Sequence, residues 1–126
     1  MSDGTRTPRQ LCGDAAESEA LAHLQAAGLR LLQRNYRARR GEIDLVMQDG
    51  EVLVFVEVRF RTADGHGDGL DSVTASKRSR LVNAARQFAQ EHPHAARMAQ
   101  RFDVVALGAG GLRWVRNAIQ VNQGAW

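Results

Sequence analysis

Two acidic residues, Asp44 and Glu57, lie in neighbouring apolar segments that each have the pattern of a β-strand. Asp49-Gly50 separates the segments and is typical of a two-residue hairpin turn. Acids that are diagonal neighbours across such a hairpin lie about 7–8 Å apart at the backbone. Their carboxylates can therefore converge on Mg²⁺ (or Mn²⁺), which commonly takes one or two carboxylates plus water and phosphate oxygens. An ion of this kind promotes phosphodiester hydrolysis by polarising a phosphoryl oxygen and activating water.

The hairpin has a predicted register in which Gln48 faces Glu51, so that Asp44 faces Phe55 and Glu42 faces Glu57. One face is then wholly apolar and must be buried, most simply under a helix. Its members are Ile43, Leu45, Met47, Val52, Val54, Val56 and Val58. The opposite face is apolar at one end and charged at the other; its members are Glu42, Asp44, Val46, Leu53, Phe55, Glu57, Arg59 and Arg61.

Asp44 and Glu57 also have a purely structural interpretation, as solvent-facing strand residues paired with Arg59 and Arg61. Two acids beside an apolar core repel each other and are costly to desolvate, and a bound cation relieves both effects. The hairpin pattern alone does not distinguish these interpretations.

A third acid, Glu17, lies in a predicted helix over 14–27 that ends at Gly28 in a left-handed cap. The apolar stripe of this helix consists of Ala16, Ala20, Leu24 and Ala27. Asp14-x-x-Glu17 has the spacing of a capping box, so Glu17 either closes the helix N-terminus or extends to the hairpin acids.

The remaining elements complete an α/β chain with the order α-β-β-β-α-β(-β). The sequence predicts strands over 29–36, 42–48, 51–61, 101–107 and 112–116, a glycine-rich loop over 62–74 and a helix over 74–91. Thr74 is the predicted N-cap of that helix. Its core-facing residues are Leu81, Ala84, Ala85 and Phe88.

The chain has 126 residues, which suits one domain over 12–126 after a flexible polar arm over 1–11. Cys12 is the only cysteine, so neither an internal disulfide nor a cysteine-based zinc site can form. Neither a signal peptide nor a membrane-spanning stretch is evident, and we expect a cytoplasmic protein without a membrane partner.

Basic residues outnumber acidic ones by 17 to 14, and many fall in two clusters. The first consists of Arg30, Arg34, Arg37, Arg39 and Arg40, and the second of Lys77, Arg78, Arg80 and Arg86. A single cluster is most simply a solvated face, but two clusters flanking an acidic group favour contact with a nucleic-acid backbone.

Several motifs together resemble the YraN-like family of predicted bacterial endonucleases. They are Gly13-x-x-x-Glu17-x-x-Ala20, Asn35-Tyr36-Arg37, Gly41-Glu42-Ile43-Asp44-Leu45, Phe55-Val56-Glu57-Val58-Arg59-x-Arg61, Lys77 and Phe102-Asp103-Val104-Val105. The resemblance covers roughly residues 12 to 120. It implies a restriction-endonuclease-like fold, a mixed central sheet flanked by helices, similar to archaeal Holliday-junction resolvases.

The resemblance also implies roles for single residues. Glu17, Asp44 and Glu57 match the acids that bind the metal ion and catalyse hydrolysis. Arg59 stands where the superfamily has a catalytic lysine; it stays protonated, so it can stabilise phosphate charge but is a poor general base. The residues expected to contact the nucleic acid are Arg37, Arg39, Arg40, Arg61, Lys77 and Arg78.

Three functions fit these observations. The first is a Mg²⁺-dependent endonuclease acting on DNA or another nucleic acid, branched or structured if the resolvase analogy holds. The second is a nucleic-acid-binding or adaptor protein that keeps the fold without turnover, which Arg59 favours. The third is a protein-interaction domain. By analogy with the resolvases, we expect a homodimer in the first case.

Overall fold

The computed structural model describes residues 8–60, 75–108 and 110–119, with side chains from residue 14 onward. Its elements are α1 (Pro8–Ala26), β1 (Arg30–Ala38), β2 (Gly41–Asp49), β3 (Val52–Phe60), α2 (Ala75–Glu91), α3 (Pro93–Ala96), β4 (Ala99–Gly108) and β5 (Gly111–Ile119). The predicted α/β class and the order α-β-β-β-α-β-β are confirmed, with α3 as an additional single turn. Residues 1–7, Arg61, the predicted loop over 62–74 and the Thr74 cap lie outside the described ranges.

The scaffold is one five-stranded sheet in the order β1-β2-β3-β4-β5. All neighbouring strands are antiparallel except β3 and β4, which are parallel. Two parallel neighbours need a crossover connection, and α2 with α3 forms its helical part. The crossover returns the chain beside β3, so β3, which carries Glu57, lies at the centre of the sheet.

The two faces of the sheet are covered by different helices. Below α1 lies the predicted apolar face of the hairpin; this core contains Ala16, Ala20, Leu24, Leu45, Met47, Val54, Val56, Val105 and Leu107. Below α2 lies the apolar end of the opposite face; this core contains Val46, Leu53, Phe55, Leu81, Ala84, Ala85, Phe88, Phe102 and Val104. The predicted core residues of α2 are confirmed. Ile43 departs from the prediction, because it packs in the core below α2.

Helix α1 begins at Pro8, six residues before the predicted start at position 14. Proline suits the first helical position because its fixed φ matches the helix and its missing N–H has no partner to lose there. Asp14 and Glu17 therefore lie within the helix, and the capping-box interpretation of Glu17 is wrong. The predicted stop at Gly28 is confirmed: its φ is +104°, and the Leu29 N–H donates to the Leu24 carbonyl at 3.1 Å, as in a Schellman motif.

The register of the β2–β3 hairpin differs by two residues from the prediction. Asp49 pairs with Val52, and Val46, not Asp44, faces Phe55. The turn residues are Gly50 and Glu51, and only Gly50 has a positive φ, of +61°. A type II′ turn needs positive φ at its first central residue alone, so glycine occupies that position and Asp49 stays in the strand. Because the shift is two residues, the paired side chains keep their predicted faces.

Candidate functional site

The candidate site lies where β2 separates from β3. Ladder pairing between them ends at Leu45 and Val56, whereas β2 continues to pair with β1 as far as Gly41. The Val58 N–H, beyond the last pair, donates to Asp44 Oδ2 at 2.8 Å. The Asp44 carboxylate thus accepts the hydrogen bond that a backbone carbonyl would accept in a continued ladder. In the observed register Asp44 lies opposite Glu57, whereas the predicted register places the two acids diagonally.

The two carboxyls are electrostatically coupled. Burial and the Glu57 charge raise the pKa of Asp44 from 3.8 to about 8, against the opposing hydrogen bond from Val58. Burial also raises the pKa of Glu57, while Arg59 and a hydrogen bond with the Asp44 carboxyl lower it. At neutral pH the pair consequently retains a proton, as like charges in close contact do.

Two cations lie at this pair. The Arg59 Nε is 3.4 Å from Glu57 Oε2, and the two side chains are only 12% and 20% exposed. Lys77, on the first turn of α2, is half-buried, and its charge lowers the pKa of Glu57. The structure thus brings together four of the predicted site residues, namely Asp44, Glu57, Arg59 and Lys77.

Glu17 reaches towards the pair from α1. Its charge contributes to the raised pKa of Asp44, and its own side chain is 13% exposed and ion-paired with Arg34 at 3.1 Å. Among the residues with described side chains, no three histidine, cysteine or acidic groups converge closely enough to enclose an ion by themselves. Asp44 and Glu57 therefore form a two-carboxylate site, with Glu17 beside it.

Several of the exposed arginines lie together at one end of the sheet. Arg37 lies near the end of β1, and Arg39 and Arg40 form the turn between β1 and β2. This turn contacts α2, because the Arg39 N–H donates to Gln87 Oε1 at 3.1 Å. Arg78 is exposed on the first turn of α2. Of the predicted nucleic-acid contacts, Arg61 alone lies outside the described part of the chain.

Sequence reasoning gave Asp103 no role, although it is the one fully buried acid among the described residues. Arg101 Nε donates to its two oxygens at 3.0 and 3.2 Å. Trp114 Nε1 and the Asn117 N–H donate at 3.0 and 2.9 Å. Asn117 lies where β5 has two more residues than β4 in the ladder, so Asp103 stabilises this irregularity. Its place in the Phe102-Asp103-Val104-Val105 motif was the only signal in the sequence.

None of the helices in the described ranges is long and apolar enough to cross a membrane.

Known proteins similar to this chain include members of one uncharacterised family. The model of the uncharacterised protein family UPF0102 matches residues 16–107. A UPF0102 protein of Herminiimonas arsenicoxydans is 50% identical over 115 residues, 91% of each chain. One from Stutzerimonas stutzeri is 49% identical over 88% of this chain and 96% of its own. One from Ectopseudomonas mendocina is 51% identical over 84% and 92%.

The matched range includes Glu17, the Asp44–Glu57 pair, Arg59 and Lys77, and the family is the YraN-like family that the sequence motifs resemble. The chain therefore belongs to the uncharacterised protein family UPF0102.

Proposed function

We propose that the protein is a metal-dependent endonuclease that hydrolyses phosphodiester bonds in DNA or another nucleic acid. The observation that carries this proposal is the pair of half-buried carboxyls, Asp44 and Glu57, with Arg59 and Lys77 beside it. Strongly perturbed acids next to fixed cations are typical of catalytic sites.

The donor set suits Mg²⁺ or Mn²⁺. Both ligands offer hard oxygen atoms, and Mg²⁺ commonly completes its shell with water and substrate phosphate. Burial and repulsion from Glu57 raise the pKa of Asp44, and a divalent cation offsets both effects. Asp44 and Glu57 would hold the ion, with Glu17 next to them. When bound, it supplies Lewis-acid catalysis and activates water near neutral pH.

The cations have complementary roles in this proposal. Arg59 stabilises negative charge on the scissile phosphate, because its guanidinium stays protonated and offers several fixed donors. Lys77 holds a neighbouring phosphate from the start of α2. Arg37, Arg39, Arg40 and Arg78 bind the backbone farther from the scissile bond. Contacts to phosphates of this kind give affinity without sequence preference.

A second candidate is a non-catalytic nucleic-acid-binding protein. Arg59 favours it, because arginine cannot take up a proton from water as a deprotonated lysine could. Its 3.4 Å contact with Glu57 also lets it neutralise that carboxylate without an ion. The binding surface is the same in both candidates, and only turnover differs.

The test begins with calorimetric titration of Mg²⁺ and Mn²⁺ into the protein, with and without nucleic acid. The wild type is compared with Asp44→Asn/Glu57→Gln and with the matched control Glu19→Gln/Glu51→Gln. The control removes the same number of carboxyl groups from exposed positions. We expect the wild type and the control to bind the ion and the site variant to lose binding.

Cleavage is then assayed on branched, single-stranded and duplex DNA and on RNA. Ion-dependent cleavage that Asp44→Asn abolishes would support the endonuclease. Nucleic-acid binding that persists or strengthens in Asp44→Asn, without cleavage by the wild type, would favour the second candidate. An absence of ion binding by the wild type, even with nucleic acid, would refute the metal-dependent mechanism.

A further inference from the structure

Asn35 belongs to the Asn35-Tyr36-Arg37 motif, yet the proposed function assigns it no role. It lies on β1 between the pairs Arg34–Leu45 and Tyr36–Ile43, which sets it opposite Asp44. With its amide nitrogen towards α1, it donates to both carboxylate oxygens of Glu17, at 3.2 and 3.1 Å. Assigning the nitrogen to that side satisfies both groups, because a carboxylate can only accept.

The preceding residue binds the same carboxylate. Arg34 Nε donates to Glu17 Oε1 at 3.1 Å. The Arg34 Nη2 donates to the Asp14 carbonyl at 3.3 Å and to Ser18 Oγ at 3.0 Å, and these bonds anchor the side chain to α1. Arg34 and Asn35 together therefore hold Glu17 by three hydrogen bonds from one strand.

Adjacent residues of a regular strand point to opposite faces of the sheet, so two consecutive side chains cannot normally reach one group. β1 departs from this rule in two places. Its register with β2 shifts between Leu31 and Gln33, and Asn35 has a φ of +56°. The left-handed conformation turns the Asn35 side chain towards the helix that Arg34 already contacts.

This position restricts the residue type. Outside glycine, asparagine and aspartate adopt the left-handed conformation at the lowest cost. Glycine would accept the backbone but could not donate to Glu17, and aspartate would repel it. Asparagine meets both requirements, and a residue in an unfavourable conformation beside a candidate site is a pointer to function.

We propose that Asn35, together with Arg34, is a positioning residue that orients the Glu17 carboxylate towards the Asp44–Glu57 pair. The role rests on the proposed function, because it matters only if the acids act together on an ion and a phosphodiester. Asn35 touches neither the substrate nor the ion; it acts through Glu17.

The first test needs neither metal nor substrate. In ¹⁵N-labelled protein with chelator present, the side-chain amide signals of Asn35 are compared between the wild type and Glu17→Gln. We expect a clear shift, because the variant replaces the charged acceptor. Signals that do not respond would show that the contact is absent, and would overturn the positioning role while leaving the endonuclease proposal intact.

The second test uses Asn35→Gly, which keeps the backbone conformation and removes the donor, and Asn35→Asp, which replaces the donor by a carboxylate. The matched control is Asn117→Gly, since Asn117 also has a positive φ, of +53°, but lies on β5. Removal of a supporting hydrogen bond of this kind typically costs about 10–100-fold in activity. We expect such a loss of kcat in Asn35→Gly, a larger one in Asn35→Asp, and none in the control.

The pattern of kinetic changes separates positioning from general destabilisation. KM for the nucleic acid should stay at its wild-type value, and the Tm of Asn35→Gly should match that of Asn117→Gly. Wild-type kcat in Asn35→Gly would overturn the role. A wild type that neither binds Mg²⁺ nor cleaves would refute the proposed function and, with it, the positioning role, even if the amide signals respond.

Discussion

Asp103 and Asp44 are both acids with little exposure to solvent, but they differ in the number of hydrogen bonds that their carboxyl groups accept. Asp103 is fully buried but accepts hydrogen bonds from Arg101, Trp114 and the Asn117 backbone. Asp44 receives one backbone hydrogen bond, from Val58, and faces a second acid. A buried carboxylate that accepts several hydrogen bonds is stable in its charged form. A carboxylate beside a like charge is not, and binding of a proton or a cation relieves the repulsion.

The stability of the metal-free protein should fall as the pH rises from 3.8 to about 8, because the pKa of Asp44 is 3.8 when unperturbed and about 8 in the fold. In this window the folded chain holds a proton that the unfolded chain has lost. The stabilisation that protonated Asp44 contributes is therefore fully present below pH 3.8 and lost above about pH 8. Asp44→Asn should flatten the dependence by at most about 1.4 kcal/mol per pH unit.

Urea unfolding in EDTA across this pH range measures the effect. Glu51→Gln, in the exposed turn of the same hairpin, is the control and should keep the wild-type slope. A wild-type slope in Asp44→Asn would show that another group is responsible.

Replacing Asp103 should destabilise the fold strongly. Asp103→Leu leaves Trp114 without its acceptor and Arg101 without its buried partner, and breaking a buried charge pair from one side costs about 3–5 kcal/mol. Asp49→Asn removes the other partner of Arg101, which lies at 3.1 Å and is 36% exposed, so about 1 kcal/mol or less is expected. Equal losses in the two variants, measured by urea unfolding, would contradict the assigned importance of Asp103.

Among the elements, the β1–β2 hairpin and α2 approach each other so closely that a side chain is excluded. A Cβ added to Gly41 would overlap the Arg80 carbonyl oxygen. The approach brings the turn formed by Arg39 and Arg40 against the helix that carries Lys77. Glycine at position 41 therefore permits the basic turn to approach α2 closely.

Gly41→Ala should displace the hairpin from α2 and cost about 1–3 kcal/mol, as other overpacked substitutions do. Gly28→Ala is the comparison, because Gly28 has a positive φ of +104° but open space around it. Its cost should be confined to backbone strain, about 1 kcal/mol. Urea unfolding measures both costs, and equal stability of the two variants would argue against a close contact at Gly41.

In the whole molecule, charge is distributed unevenly despite a net value of only +3. Asp44 and Glu57 lie side by side on β2 and β3, with Glu17 of α1 next to them, while exposed arginines extend from the β1–β2 turn onto α2. Under the proposed function, a nucleic acid bound to the arginines presents a backbone phosphate to the acids, and a cation offsets the repulsion between them.

Binding to nucleic acid should depend steeply on salt, and Arg39→Gln/Arg40→Gln should reduce the slope of log K against log salt by about 0.9 for each duplex phosphate that the variant no longer neutralises. The control is Arg30→Gln, since Arg30 is exposed at the other end of β1, opposite Gln48. Fluorescence anisotropy at several salt concentrations measures the slopes. A slope unchanged in the double variant would place the binding surface elsewhere.

The sequence alone determined the element order, most of the buried apolar face of the hairpin and the two acids that lie side by side. Those features follow from hydrophobic periodicity and turn residues, which are local properties. The stop at Gly28 was predictable for the same reason, because glycine alone adopts that φ without strain.

Only the tertiary structure decided which residues meet. A two-residue shift in the β2–β3 register leaves every paired side chain on its face, so alternation could not show that Asp44 lies opposite Glu57. Because α1 begins at Pro8, Glu17 lies inside the helix and does not cap its N-terminus. The hydrogen bonds from Arg34 and Asn35 to Glu17, and those from Trp114 and Asn117 to Asp103, join residues distant in the chain. Long-range packing, not local propensity, brings these residues together.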